Sequence, residues 1–407
     1  MVSINLHFKE ISFNLGLIEV NQISCTSDVL LSLIKNKLNE FRINLNSKKV
    51  IATADGASVN SKLETISNIF LQKCQNHAIN LSIIDTFYAN DSVEKIESVF
   101  SDEDYQQEEN DCSDDEDESE SEEGDDIDDK NSNTISMPIQ SQYKESIKKA
   151  RNISNIIRNS PTMKRILLKY TDSMPLKDSK TRWSSLAKMT DRFLEILPQI
   201  KKTFIDAKKN LDFAETDYEY LKHIQILLYP VIDVVEKLSN SKANLLTADI
   251  EMSKLIIKLK NINENNNEFK YIKKKFVTNL EQRFLARRRN TSNVLQYLLS
   301  SKFNTNDNLF YTEPSNQNIK QCYEDFCTDI DQNSNNSLAE QNDLSSETNF
   351  DSLNVNLDDF TAKKMKSSID FEIEEFEKTK KLGTDLLSLA RVLLSVKATS
   401  TDIERTF

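Results

Sequence analysis

The chain has 407 residues, enough for two or three packed units, and its formal net charge is −13. Its four glycines cannot supply the glycine-rich phosphate loop of a nucleotide-binding fold. Five scattered cysteines, no signal-peptide pattern and no long apolar run predict a soluble, intracellular protein of a reducing compartment. We therefore expect neither a membrane partner nor a small-molecule substrate.

The first hundred residues alternate between strand and helix patterns. Alternating apolar residues predict strands over residues 2–8 and 11–18, joined as a hairpin. A helical pattern follows, and then a short apolar run, Val50–Ala52, that predicts a buried strand. Strand, strand, helix, strand and helix in this order predict an α/β fold.

A carboxylate stands at the end of that last strand. Asp55 and Gly56 follow it as a tight turn. Acidic groups at the carboxyl ends of strands are how α/β folds build metal and phosphate sites. The next helix is predicted from the spacing of Leu63, Ile66, Ile69 and Phe70.

Cys74 and His77 come next, as a Cys-x-x-His element. They can form half of a zinc site, but the sequence offers no second pair for it. In the reading we favour, the two residues order the core beside the acidic site.

The acidic residues are concentrated in one tract. Residues 102–129 contain 18 Asp or Glu and no Lys or Arg, so the rest of the chain carries a net charge of +5. We predict that residues 101–140 form a disordered acidic linker. A basic body with an acidic tract suits a protein that handles nucleic acid, in which the tract competes for basic surface. For the tract itself, the interpretation we favour is a solvated, disordered linker.

Residues 141–300 predict an all-helical unit. Trp183, the single tryptophan, follows Arg182 at the start of one helical pattern. The densest basic cluster lies near the end of the unit and includes Lys274, Arg287 and Arg288. These side chains can contact phosphates, or they can form an ordinary solvated helix face.

The end of the chain contains one more helix. Residues 301–362 are rich in Asn, Asp and Ser and are predicted to be disordered. Residues 363–407 contain a strongly apolar helix around Leu386–Leu394, and Glu404 follows it.

Three ordered blocks of this sequence resemble the hAT superfamily of DNA transposases. Residues 53–60 (TADGASVN) and 74–81 (CQNHAINL) are similar to its Asp-containing and Cys-x-x-His elements. Residues 181–200 begin with TRWSS, which resembles its tryptophan element. Residues 386–407 contain a Leu-Ala-x-x-Leu run and end in ERTF, and both resemble its C-terminal region.

The resemblance implies an RNase H-like core that is interrupted by an all-helical insertion domain. The core would consist of residues 1–100 and 363–407, with its first strand missing and its family dimerisation region truncated. The insertion domain would be residues 141–300, and the acidic and Asn-rich segments would be disordered.

The resemblance also implies a chemistry. In this family three carboxylates hold two divalent ions, Mg²⁺ or Mn²⁺, that cleave DNA. Asp55 and Glu404 would be two of these catalytic, metal-binding carboxylates. Trp183 would stack on an extruded DNA base, with Arg182 beside it. In a chain without an active site, the interpretation we favour for Trp183 is a core anchor beside a helix start.

The family's first catalytic carboxylate is not found, since no Asp or Glu precedes Glu10. The zinc-finger BED domain of many relatives is not found either. We therefore expect a nuclear, transposase-derived protein without cleavage activity, which binds DNA or dimerises with itself or with hAT relatives. Two alternatives stay open: a fragment of an active cut-and-paste transposase, and a protein-interaction scaffold that does not bind DNA.

Overall fold

A computed structural model of the protein describes residues 2–8, 11–18, 26–43, 51–67, 69–88, 138–178, 183–240, 242–263, 265–300, 308–327 and 369–400. The acidic tract, Arg182 and Glu404 lie outside these ranges. The described part is mostly helical, and it contains a two-stranded hairpin and a two-stranded parallel sheet. The predicted helical region is present, with one small parallel sheet beside it.

The chain begins with the predicted hairpin. Strands β1 (Val2–Phe8) and β2 (Ile11–Ile18) are antiparallel. Helix α1 (Ser27–Asn39) follows and buries its apolar face on β2 and the next helix. Together they form a small core of their own, which includes Leu15 of β2.

A strand–helix–strand unit comes next. It consists of β3 (Ile51–Ala54), α2 (Ser58–Ile66) and β4 (Phe70–Lys73), and the two strands are parallel neighbours. The predicted continuation of the helix through Ile69 and Phe70 is wrong, because Phe70 begins β4. A few apolar residues fit a helix period and a short buried strand equally well, and here pairing with β3 decides between them.

The larger hydrophobic core is built from helices. Its main elements are α3 (Gln75–Phe87), α4 (Ile139–Asn159), α5 (Pro161–Leu167), α6 (Trp183–Asp206), α7 (Glu215–Leu238), α8 (Leu245–Lys260) and α9 (Asn267–Arg287). Helix α3 packs along α9, and the rings of Phe87 and Phe276 lie 5.7 Å apart. The helix that follows the parallel sheet is therefore part of the helical core.

A second core joins the later helices. It is formed by α10 (Asn290–Leu298), α11 (Asn316–Cys327), α12 (Ile369–Thr379) and α13 (Thr384–Ser395), with Leu245 and Leu246 of α8. The prediction that residues 301–362 are disordered is wrong for α11. This helix buries Ile319 and Phe326, and their apolar area compensates for the polar residues around them.

A buried carboxylate fixes the start of α13. Glu372 of α12 accepts hydrogen bonds from the backbone N–H groups of Asp385 and Leu386, both at 3.0 Å. These are N–H groups that a helix leaves without an internal partner. Gly383 allows the approach, because a Cβ atom there would stand 2.3 Å from the Glu372 carboxyl carbon.

Candidate functional site

Asp55 lies where the sequence places it, directly after β3, and it is exposed. Its Oδ1 atom accepts hydrogen bonds from the Ala57 N–H at 3.2 Å and from the Asn60 side-chain amide at 2.5 Å. The carboxylate is thereby held in an Asx turn that begins α2. No hydrogen bond to its Oδ2 atom occurs within the described residues, so that atom can take a ligand.

The C-terminal segment lies across the same edge of the sheet. The Thr53 hydroxyl donates to the Lys397 carbonyl at 2.9 Å, and the Gln75 N–H donates to the Ala398 carbonyl at 3.0 Å. The Ser400 N–H donates to the Cys74 sulfur at 3.4 Å. Ser400, the last described residue, therefore lies beside the ends of both parallel strands.

Cys74 thus has a structural contact. It is buried, it precedes α3, and its own N–H donates to the Ala54 carbonyl at 2.6 Å. His77 lies partly buried on the first turn of the same helix. Within the described ranges, no three His, Cys, Asp or Glu side chains are grouped as a metal site requires. Cys74, directly after β4, therefore contacts both the end of β3 and the C-terminal segment.

Trp183 and Arg182 lie at the start of α6. The helix begins at Trp183, but the indole and the whole of Arg182 lie outside the described part. Further along α6, Arg192 donates to the Ser173 hydroxyl at 2.5 Å and pairs with Glu195 at 3.4 Å. The Ser173 contact fastens α6 to the segment that precedes it, and the Glu195 pair lies within α6.

The basic cluster of α9 divides into exposed and internal side chains. Lys274 is exposed, as a phosphate contact requires. Arg287 is only 4% exposed, and the Arg288 side chain is only 7% exposed and paired with Asp249 at 2.7 Å. The structure corrects the predicted role of these two arginines, because neither presents its guanidinium group to a DNA backbone.

The Arg288–Asp249 pair belongs to a buried polar network. Arg288 also donates to the Asn293 amide oxygen at 2.6 Å, and the Asn308 amide donates to Asp249 at 3.1 Å and to Gln296 at 2.6 Å. Burial raises the pKa of Asp249, and the hydrogen bonds from Arg288 only partly offset this effect. The network joins α8, α9 and α10 to the segment before α11, so its role is structural.

A different basic surface is exposed at one end of the helical unit. Seven basic side chains on α5 and around the end of α6 form what we call the α5–α6 basic surface: Lys164, Arg165, Lys169, Lys201, Lys202, Lys208 and Lys209. All seven residues are exposed, and none has an ion-pair partner within the described residues. In the sequence they form short, separate runs, so the density of basic residues predicts the α9 cluster and misses this surface.

Two contacts bring the halves of this surface together. The Tyr170 hydroxyl donates to the Asp206 carboxylate at 2.5 Å, and this bond raises the pKa of Tyr170. The Lys202 ammonium group lies 5.8 Å from the centre of the Tyr170 ring. The end of α5 therefore lies against the last turn of α6, and the two basic runs form one surface.

In comparisons with known proteins, no protein-family model matches this chain and no curated protein matches it. The described helices include none with the length and apolar character needed to span a membrane.

Proposed function

We propose that this chain derives from a hAT-family DNA transposase and binds double-stranded DNA in the nucleus through the α5–α6 basic surface. The observation that carries the proposal is this surface, with its seven exposed basic residues and no compensating ion pair in the described structure. A polyanion gains most from such side chains, because they need not give up a protein partner to bind a phosphate.

The surface also fits the size of a duplex. Helix α6 rises about 1.5 Å per residue, so Trp183 at its start lies roughly 27 Å along the helix from Lys201. That length corresponds to about eight base pairs at 3.4 Å each. A duplex along α6 can therefore reach both the basic surface and the tryptophan to which the family resemblance assigns base stacking.

Support for an RNase H-like core comes from the way the first and the last of the three similar blocks meet. The Asp55 turn and the Cys-x-x-His element occupy the ends of adjacent parallel strands. The C-terminal segment, from which the Glu-Arg-x-Phe element continues, hydrogen bonds to both at Thr53 and Cys74. Blocks that are more than 300 residues apart in sequence are thus neighbours on one edge of the sheet.

The same neighbourhood favours a second candidate function, two-metal DNA cleavage. Carboxylate oxygens are the ligands that Mg²⁺ and Mn²⁺ prefer, and Asp55 is exposed with its Oδ2 atom available. Glu404 is four residues beyond Ser400 in the sequence. The two carboxylates would hold the ions that activate water. Calorimetric titration with Mn²⁺ tests this candidate: binding should be lost in Asp55→Ala and in Glu404→Ala, and absence of binding to the unaltered chain rejects it.

Self-association completes the proposal. Helix α13 exposes Leu387 and Leu394 two turns apart, at 37% and 38%, on a flank next to its buried face. Such a stripe can pair with a second copy or with a relative of similar sequence. A protein that sediments as a dimer, yet binds no DNA at low salt, would instead be an interaction scaffold.

The test of DNA binding is a titration at several salt concentrations. A triple variant, Lys164→Ala with Arg165→Ala and Lys169→Ala, removes three of the seven charges. Each phosphate contact contributes about 0.9 to the slope of log K against log salt, so the slope should become about 2.7 smaller in magnitude. A matched control removes three exposed lysines elsewhere, at Lys258, Lys270 and Lys381. An equal loss of affinity in both variants would reject this surface as the DNA site.

A further inference from the structure

We propose that the acidic tract, residues 102–129, docks on the α5–α6 basic surface of its own chain and competes there with DNA. The inference rests on the proposed function only for the identity of the competing ligand. The docking itself depends on the surface, its charge and the position of the tract in the chain.

The first argument is charge complementarity. Residues 161–170 carry three basic residues and no acidic one, and residues 201–209 carry four basic residues and one acidic one, Asp206. The tract carries 18 acidic residues and no basic one. Because the seven cations have no ion-pair partner within the described residues, a polyanion that approaches them breaks no existing pair.

The second argument is where the tract is attached. Tyr88, the last described residue before the tract, donates its hydroxyl to Asp178 at 2.7 Å, and the Arg151 guanidinium lies 5.1 Å from its ring. Arg151 is about 13 Å along α4 from Ser160, the N-cap of α5. The residues between Tyr88 and Asp102 can span up to about 45 Å when extended. The tract therefore starts well within reach of α5.

The third argument is that the surface exposes apolar side chains as well as charged ones. Leu168 is 45% exposed and Ile205 is 74% exposed, and both lie among the seven basic residues. The tract contains Tyr105 and Ile127, which can cover such side chains. A segment of mixed acidic and apolar character matches this surface better than a purely anionic one.

Attachment to the same chain makes even weak docking effective. A short flexible connection gives an effective concentration of about 1 mM, so a tract with a Kd of about 0.1 mM for the surface weakens DNA binding about tenfold. DNA and the tract are both polyanions, and they would exclude each other from the same lysines. DNA would then bind only where its affinity for the surface is high enough to displace the tract.

The decisive experiment uses the full chain with the tract neutralised by Asp→Asn and Glu→Gln over residues 102–129. A labelled peptide of residues 102–129 is titrated against it by fluorescence anisotropy at about 50 mM salt. We expect saturable binding that weakens at least tenfold in the Lys164→Ala, Arg165→Ala, Lys169→Ala background. The Lys258, Lys270 and Lys381 control should keep it. Absence of binding, or equal binding to both variants, would overturn the proposal.

Competition is read separately from docking. Neutralising the tract should strengthen DNA binding about tenfold in the chain with an intact surface, and should have less effect in the triple variant. If the gain is the same in both backgrounds, the tract acts as a general repulsive charge and the proposal is wrong. If DNA never binds but the peptide does, the proposed function fails while the docking stands.

Discussion

Two basic regions of this protein differ in what their charges contact. The α9 region pairs its arginines with carboxylates of the fold: Arg283 with Asp85, Arg288 with Asp249, and Arg289 with Glu64. The α5–α6 basic surface leaves its side chains exposed and without an ion pair in the described structure. The first region is cross-linked to the fold, and the second is available to a partner.

The difference teaches that the density of basic residues does not identify a nucleic-acid surface. The carboxylates that neutralise α9 stand 198, 39 and 225 residues away in sequence, where no local pattern reveals them. A buried charge costs several kcal/mol unless it is paired, so interior arginines must find such partners. Exposed lysines carry no such requirement.

The largest expected effect on stability comes from the buried Arg288–Asp249 pair. Arg288→Ala leaves Asp249 buried without its cation, so the free energy of unfolding should fall by about 3–5 kcal/mol. Urea denaturation followed by circular dichroism measures it, with Lys270→Ala as the exposed control. A loss below about 1 kcal/mol would mean that the network is not structural.

The buried Glu372 carboxylate should also stabilise the fold, but by less than the Arg288–Asp249 pair. Glu372→Ala removes the carboxylate that caps α13, and Gly383→Ala pushes the same carboxylate away. Each substitution should cost about 1–3 kcal/mol in unfolding free energy. In the double variant the clash no longer exists, so its cost should be less than the sum of the two. Strictly additive costs would show that the two residues act independently.

The interior pairs should also give a pH signature. Burial by itself raises the pKa of Asp178, but hydrogen bonds from Arg151 and Tyr88 outweigh it, so the pKa lies below its usual value of 3.8. The ionised form therefore stabilises the fold above about pH 4, and this contribution is lost as the pH falls towards the lowered pKa. The stability difference between the unaltered protein and Asp178→Asn should shrink from pH 7 to pH 3. A stability difference that stays constant between pH 7 and pH 3 would contradict this prediction.

The smallest expected effect on stability comes from the α5–α6 basic surface. Single alanine substitutions at Lys164, Arg165 and Lys169 should each change the unfolding free energy by no more than about 0.5 kcal/mol, because none holds an ion pair in the described structure. Thermal melts compare them with the unaltered protein. A cost of more than about 1 kcal/mol would show that these residues stabilise the fold. The case for a ligand-binding surface would then fail.

Local patterns in the sequence predict the hairpin, the strand before Asp55 and most helices, because these depend on residues close together in the chain. The same patterns assign Phe70 to a helix and miss α11, since both depend on distant partners. The Asp55 turn is predicted correctly because an Asx turn is made within a few residues. The burial of Arg287 and Arg288 is not predictable in this way, because α8 and α10 surround them only in the folded chain.

The contacts of Thr53 and Cys74 with the C-terminal segment have a consequence for synthesis. They join residues 344 and 326 positions apart, so Thr53 and Cys74 lack these contacts until the segment around Ser400 has left the ribosome. At roughly 5–20 residues per second, the two residues would wait about 15–70 s for these hydrogen bonds. A chaperone that holds the nascent chain during that interval should therefore matter more for this protein than its large helical content suggests.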